Sequence, residues 1–207
     1  MTTTQFLLVT GTNTGVGKTW LACALAKDLS REKRVVAIKP IETGGGDDGE
    51  MLAMATGQAS PKKALVTLKE PLTPALAADR EGVKLDFDDL VARVRDAAKD
   101  ADVVIVEGAG GLLSPLTWDS DATTLARALD AKVILVATDA LGTISAVHTA
   151  AACCPPFVIV LTEPETRDAS TGTNADALRR RLGSVRIVEI ARNGDVSALA
   201  KVIASGA

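Results

Sequence analysis

Short runs of aliphatic and β-branched residues recur along the chain, separated by longer stretches in which apolar residues return every three or four positions. The runs lie at residues 6–10, 35–39, 103–107, 133–137, 157–162 and 185–190. Most are continuously apolar rather than alternating, the pattern of strands buried on both faces of a parallel sheet. Helical spacing marks residues 18–30, 50–56, 86–99, 121–129, 142–153, 173–182 and 195–204. Asp86 stands where an N-cap belongs for the segment that follows it. Strands alternating with helices predict a three-layer α/β fold, in which ligands bind outside the carboxyl ends of the strands.

The expected organisation is one domain over 1–207, because no Pro/Ser-rich linker or charge block divides the chain. A hydrophobic content of 47% excludes disorder, and a net charge of −3 gives no footprint for nucleic acid. The run Arg179-Arg180-Arg181 reads as a solvated helix face. No stretch has the length of a membrane span, no secretory signal opens the chain, and the three cysteines lack CxxC spacing. A reduced cytoplasmic protein is the expectation. Cys153 and Cys154 read as core fillers, and His148, the single histidine, as an ordinary helix residue. Trp20 and Trp118 read as packing residues in a chain that is only 2% aromatic.

The most specific segment is Gly11-Thr-Asn-Thr-Gly-Val-Gly-Lys-Thr19, between the first predicted strand and the first predicted helix. That context makes it a phosphate-binding loop. Glycines let backbone N–H groups turn towards phosphate oxygens, and the helix adds its positive end. Lys18 supplies a point charge and Thr19 a hydroxyl placed for magnesium. The fold class predicted is therefore a three-layer α/β/α P-loop NTPase-like domain with a mainly parallel central sheet. In the usual spacing the first glycine would fall at Thr12; here it stands one place early, at Gly11.

Two further strands end in candidate chemistry. Lys39-Pro-Ile-Glu-Thr43-Gly44 places a lysine at a strand end, with a hydroxyl four residues on. Glu107-Gly-Ala-Gly-Gly111 places a carboxylate before glycines that permit close approach. Between them lies the acidic cluster Asp47-Asp48-Gly-Glu50. Taken singly, these are ordinary strand ends, turns and N-caps. Downstream of a phosphate loop they match the needs of nucleotide chemistry, which are hard oxygen ligands for Mg²⁺ and extra positive charge at the γ-phosphate.

GTNTGVGKT, KPIETG, VEGAGGLLSPL and the later Asp139-Ala-Leu-Gly-Thr-Ile resemble dethiobiotin synthetase, including the early glycine. The resemblance covers about residues 5–162 and fades afterwards. It implies an ATP-dependent ligase that carboxylates 7,8-diaminononanoate with CO₂, phosphorylates the carbamate and closes a ureido ring. By the same resemblance, Asn13, Thr14, Gly15, Val16, Gly17, Lys18 and Thr19 hold ATP. Lys39, Lys18 and Thr14 act on the transferring group, and Lys39, Thr43, Pro74, Glu107 and Gly110 face the substrate. Thr19, Glu107 and an aspartate at the next helix start hold Mg²⁺; Asp48 is preferred by spacing, with Asp47 and Glu50 as alternatives. Leu141, Gly142, Thr143 and Ser145 receive the distant carboxylate across a homodimer interface.

The chain departs from that pattern in two places. Ser145-Ala146 replaces the family's Asn-His, and Thr162-Glu-Pro replaces the Asn-Asp that reads adenine. Other readings of the loop are weaker. A MinD/ParA-type switch ATPase carries a lysine where Asn13 stands, a cobyrinic acid amidating enzyme needs a fused glutaminase, and a small-metabolite kinase usually has an arginine-bearing lid.

Overall fold

The computed structural model describes residues 4–204. In chain order the elements are β1 (Gln5–Gly11), α1 (Lys18–Leu29), β2 (Val35–Ile38), β3 (Ile41–Thr43), α2 (Asp48–Thr56), β4 (Val66–Leu68), α3 (Pro74–Glu81) and α4 (Phe87–Ala97). They continue with β5 (Val103–Glu107), α5 (Ala122–Leu129), β6 (Lys132–Thr138), α6 (Thr143–Cys153), β7 (Val158–Thr162), α7 (Asn174–Leu182), β8 (Arg186–Ile190) and α8 (Ser197–Ala204). Six strands form one sheet in the order β2-β5-β1-β6-β7-β8, with every pairing parallel.

Alternation along each strand feeds two separate apolar layers, although the runs look uniformly apolar in the sequence. Leu7, Val9, Ile105 and Val136 join Leu21 and Leu25 of α1 and Leu199 and Ile203 of α8. Leu8, Val104, Val106 and Leu135 join Leu90 and Val94 of α4, Leu125 of α5, Val147 of α6 and Leu178 of α7. Leu7, Leu8, Leu21 and Leu25 are among the fully buried side chains, and each such burial contributes about 1.5–3 kcal/mol. Helices cover both faces, as the sequence pattern predicts.

Local chemistry sets the helix starts. The Asp86 carboxylate accepts the Asp89 N–H at 3.0 Å, the predicted N-cap of α4. Asp121 and Thr124 form a reciprocal capping box on α5. At α2 the N-cap residue is Asp47, and its side chain makes no capping bond.

The predicted elements hold to within two residues at every end; β2 stops at Ile38, leaving Lys39 just beyond it. The pattern missed the small parallel pair β3-β4 and the helix α3. Both strands of the pair have three residues, too short to show a period, and α3 begins at Pro74, a helix-initiating position within a Pro-rich stretch. Two expected packing roles are also corrected. Trp118 is 62% exposed, its ring N–H bonded to Asp79 at 2.9 Å, and Cys153 is exposed at the end of α6. Among the described residues no helix is long and apolar enough to cross a membrane.

Candidate active site

Strand register brings three separated motifs to one sheet edge. Val9 of β1 is opposite Glu107 of β5, and Ile38 of β2 is opposite Val106. Lys39, Glu107 and the loop that follows β1 therefore leave neighbouring strands at one level. They border a cavity of about 730 Å³, which Thr14, Gly15, Gly17, Lys18, Thr19, Lys39, Thr43, Asp48, Pro74, Glu107 and Gly110 line together.

The loop explains its own early glycine. A Cβ on Gly11 would lie 2.7 Å from Val16 Cγ2 and 3.1 Å from the Asn13 carbonyl oxygen, so the chain folds back over this residue and leaves no room. Gly17, with φ of 91°, makes the left-handed turn into α1. Asn13 braces the turn: its side-chain oxygen accepts the Thr14 N–H at 2.8 Å, and its carbonyl accepts Lys18 Nζ at 2.9 Å. Val16 is buried, and its carbonyl accepts the Thr162 hydroxyl at 2.9 Å. The loop is thus held in shape by the protein itself, a preorganisation that favours anion binding at the helix start.

Lys39 is the centre of the polar network. Its Nζ donates to Asp48 Oδ2 at 2.6 Å and to Glu107 Oε1 at 2.7 Å. The Thr19 hydroxyl lies 3.0 Å from Asp48 Oδ1 and 2.8 Å from Glu107 Oε1; it has one proton and satisfies one of them at a time. Burial works against charge on Lys39, but Glu107 and Asp48 outweigh it and hold the lysine above its ordinary pKa. Lys18 has no such pair: burial and then the Lys39 charge lower it to about 8, against the opposing pull of Glu107 and Asp48. Burial pushes the Glu107 carboxyl up, and Lys39 and Thr19 pull it back only in part.

Thr19, Asp48 and Glu107 suit a divalent cation by their chemistry. All three offer hard oxygen donors, the set Mg²⁺ accepts. Glu107 Oε2 is buried without a hydrogen-bond partner, an acceptor with spare capacity beside the other two residues. The alternative carboxylates lie apart from the network: Asp47 and Glu50 are exposed, and Glu50 pairs with Lys63 at 3.3 Å.

A second cavity of about 310 Å³ also borders the loop, lined by Gly15, Val16, Gly17, Trp20, Thr138, Thr162, Glu163 and Arg192, among others. Trp20 borders both cavities, a role beyond the packing expected of it. The residues around the start of α6 behave differently. Leu141, Gly142 and Ser145 are exposed and lie outside both cavities. The Thr143 hydroxyl is taken by the Thr138 carbonyl, and the Leu141 N–H by Asp168 at 2.8 Å. Thr143 likewise lines neither cavity.

A family model described as an AAA domain matches residues 5–202. The ATP-dependent dethiobiotin synthetase BioD of Anaeromyxobacter sp. (strain Fw109-5) is 36% identical over 206 residues, covering 92% of each chain. The chain belongs to the dethiobiotin synthetase family. That family is one of ligases. The synthetase of Nitrosospira multiformis is 41% identical over 144 residues, but that match spans 66% of this chain and 64% of the relative, just under two thirds. Among solved structures, the hydrogenase maturation factor HypB from Archaeoglobus fulgidus aligns with a TM-score of 0.62 at 16% identity, over 98% of this chain and 89% of its own. A putative plasmid partition protein from Borrelia burgdorferi, bound to AMPPNP, aligns at 0.55 with 14% identity, over 97% and 96%. At such identities the likeness is one of fold.

Sequence reading missed some of the residues that line the two cavities. Glu42 and Ser114 lie inside motifs it quoted, but nothing in one dimension marks them as facing a cavity. Ala191, Arg192 and Asn193 reach the second cavity only because β8 lies beside β7.

Proposed function

We propose that this chain is an ATP-dependent cyclo-ligase that converts 7,8-diaminononanoate, CO₂ and ATP to dethiobiotin, ADP and phosphate. One observation carries the reading: Lys18 of the phosphate loop and Lys39 from the next strand end border one cavity, with Thr14, Thr43, Pro74 and Gly110 around it.

The chemistry asks for that pair of cations. The carbamate that CO₂ forms with one amine is an anion, and it must approach the anionic γ-phosphate. Two ammonium groups in a largely desolvated site offset that repulsion more strongly than water can. On this reading Lys18 leaves the Asn13 carbonyl for phosphate oxygens, while the backbone N–H groups of residues 13–19 hold the rest of the triphosphate. Lys39, kept protonated by Asp48 and Glu107, faces the carbamate and the transferring phosphoryl group. Thr14 donates to the phosphoryl group and Thr43 to the carbamate; Glu107 and Gly110 complete the substrate wall. Mg²⁺, held by Thr19, Asp48 and Glu107, supplies Lewis-acid neutralisation of the phosphate charge when bound. The second amine then attacks the carbamic-phosphoric anhydride, the ureido ring closes and phosphate departs.

The nucleoside is assigned to the cavity of about 310 Å³ beside the loop. Exposed Leu141, Gly142 and Ser145, with the buried Thr143 between them, are assigned to the substrate's distant carboxylate in a second copy, which makes a homodimer the working unit. Residues 1–207 act as one synthetase domain, and the cytoplasm is its expected compartment.

The deciding experiment measures ADP release by purified protein with Mg²⁺, in the presence and absence of diamine and bicarbonate. Turnover should require both, with dethiobiotin forming in step with ADP. Equal hydrolysis in both conditions and no dethiobiotin would replace the ligase with a switch ATPase.

A further inference from the structure

Glu42 is a buried carboxylate, 5% exposed, on the short strand β3, and it borders the larger cavity. Its Oε1 accepts the backbone N–H of Asp48 at 2.6 Å. Asp48 is the first residue of α2, and the N-cap residue Asp47 contributes no side-chain bond. The cap of this helix therefore comes from a strand six residues upstream. The glycine loop between them is wrapped closely around the carboxylate: a Cβ on Gly46 would lie 2.8 Å from Glu42 Oε1.

The bond anchors the Asp48 backbone. Asp48 is the first helical residue, one place past the position whose side chain ordinarily caps a helix. With its N–H held by Glu42, Asp48 reaches Lys39 Nζ at 2.6 Å and the Thr19 hydroxyl at 3.0 Å through its carboxylate. A carboxylate at a helix N-terminus is also favoured by the helix dipole.

We propose that Glu42 is a positioning residue for the cation site: by capping α2 through the Asp48 N–H, it aims the Asp48 carboxylate at Thr19 and Lys39. The inference rests on the assignment of Mg²⁺ to Thr19, Asp48 and Glu107. It needs no contact between Glu42 and either metal or substrate. The groups that support metal ligands without touching the metal typically change its affinity about 10–100-fold when removed.

The test compares Glu42→Met, which fills the same space without an acceptor, with Glu42→Gln, which keeps one. Mn²⁺ is titrated into the protein–ADP complex and followed by electron paramagnetic resonance, with circular dichroism melts run in parallel. Glu42→Met should bind Mn²⁺ about 10–100-fold more weakly while staying folded. Glu42→Gln should recover affinity to within a few-fold of the unmodified protein. Unchanged Mn²⁺ affinity in Glu42→Met overturns the proposal, as does a Glu42→Gln variant as weak as Glu42→Met. Should Glu42→Met not fold, Glu42→Ala, which leaves space rather than filling it, carries the same reading. Absence of Mn²⁺ binding by the unmodified protein would instead remove the metal assignment. The positioning role is then judged on amide exchange at Asp48 in the metal-free protein, which should quicken in Glu42→Met; unchanged exchange overturns it.

Discussion

Lys39 and Glu107 leave the carboxyl ends of adjacent parallel strands and meet with Nζ and Oε1 2.7 Å apart, both almost wholly buried. An ion pair so placed is a costly way to hold two strands together, because both charges lose their water. A cationic group held beside a phosphate loop gives the cost a purpose, and Glu107 with Asp48 keeps Lys39 protonated despite burial. Asp48, from a helix start, completes the pair as a third charged partner.

Lys39→Ala should reduce dethiobiotin formation by on the order of 10²–10³-fold, the loss seen when a preorganised electrostatic donor is removed. ADP affinity should change little, since Lys18 and the loop hold the phosphates on the proposed reading. Product assay and equilibrium dialysis of ADP check the two halves separately; unaltered turnover would take Lys39 out of the site.

Thr19→Val removes the hydroxyl that sits between Asp48 and Glu107 while keeping the side-chain shape. The Mg²⁺ concentration for half-maximal ATP turnover should rise by at least about 10-fold. A metal titration at saturating ATP reads this directly, and an unshifted midpoint contradicts the ligand role.

Gly11→Ala should distort the phosphate loop, because the added Cβ meets Val16 Cγ2 at 2.7 Å. Overpacking of this kind costs about 1–3 kcal/mol, or on the order of 10–100-fold in nucleotide affinity if the strain falls on the bound loop. Val16→Ala in the same chain should restore part of that affinity, as measured by calorimetric titration with ADP. No recovery would place the strain on the Asn13 carbonyl instead.

Cys23 on α1 is half-buried, and burial, with Glu107 and Asp48 adding to it, pushes its thiol up to about 12. Alkylation needs the thiolate. Iodoacetamide at pH 8 should therefore modify exposed Cys153 well before Cys23, with Cys23 gaining reactivity only as pH rises towards 12. The sign for stability follows: the folded state holds the Cys23 proton more tightly than the unfolded chain, so this residue's contribution falls as pH climbs above 9. Peptide mass mapping over a pH series checks the labelling order, and equal rates at Cys23 and Cys153 would contradict the environment described for Cys23.

The three-layer fold was legible because it depends on local pattern. Runs such as Leu7-Leu8-Val9 and Val103-Val104-Ile105-Val106 have nowhere to go but a sheet covered on both faces, and Asp86 marks its helix start by side-chain chemistry alone. The phosphate loop was equally legible, since glycine and lysine spacing is a backbone requirement written in consecutive residues. Its early glycine was visible as an anomaly, whereas its cause, the Val16 methyl packed against Gly11, is a contact.

Tertiary structure decided everything that depends on which strand lies beside which. Which of Asp47, Asp48 and Glu50 meets Lys39 and Thr19 turns on the direction in which α2 presents its first turn, where Glu42 of β3 accepts the Asp48 N–H. Three acidic residues within four positions are chemically alike in one dimension; only one reaches Lys39 and Thr19. Likewise the order β2-β5-β1-β6-β7-β8 joins Lys39 to Glu107, 68 residues apart, and brings Arg192 beside the loop. The sequence by itself determined the layers, the loop and the kinds of charged group available. Pairing register and the burial it creates determined which of those groups share a proton, which face the cavity and which remain in solvent.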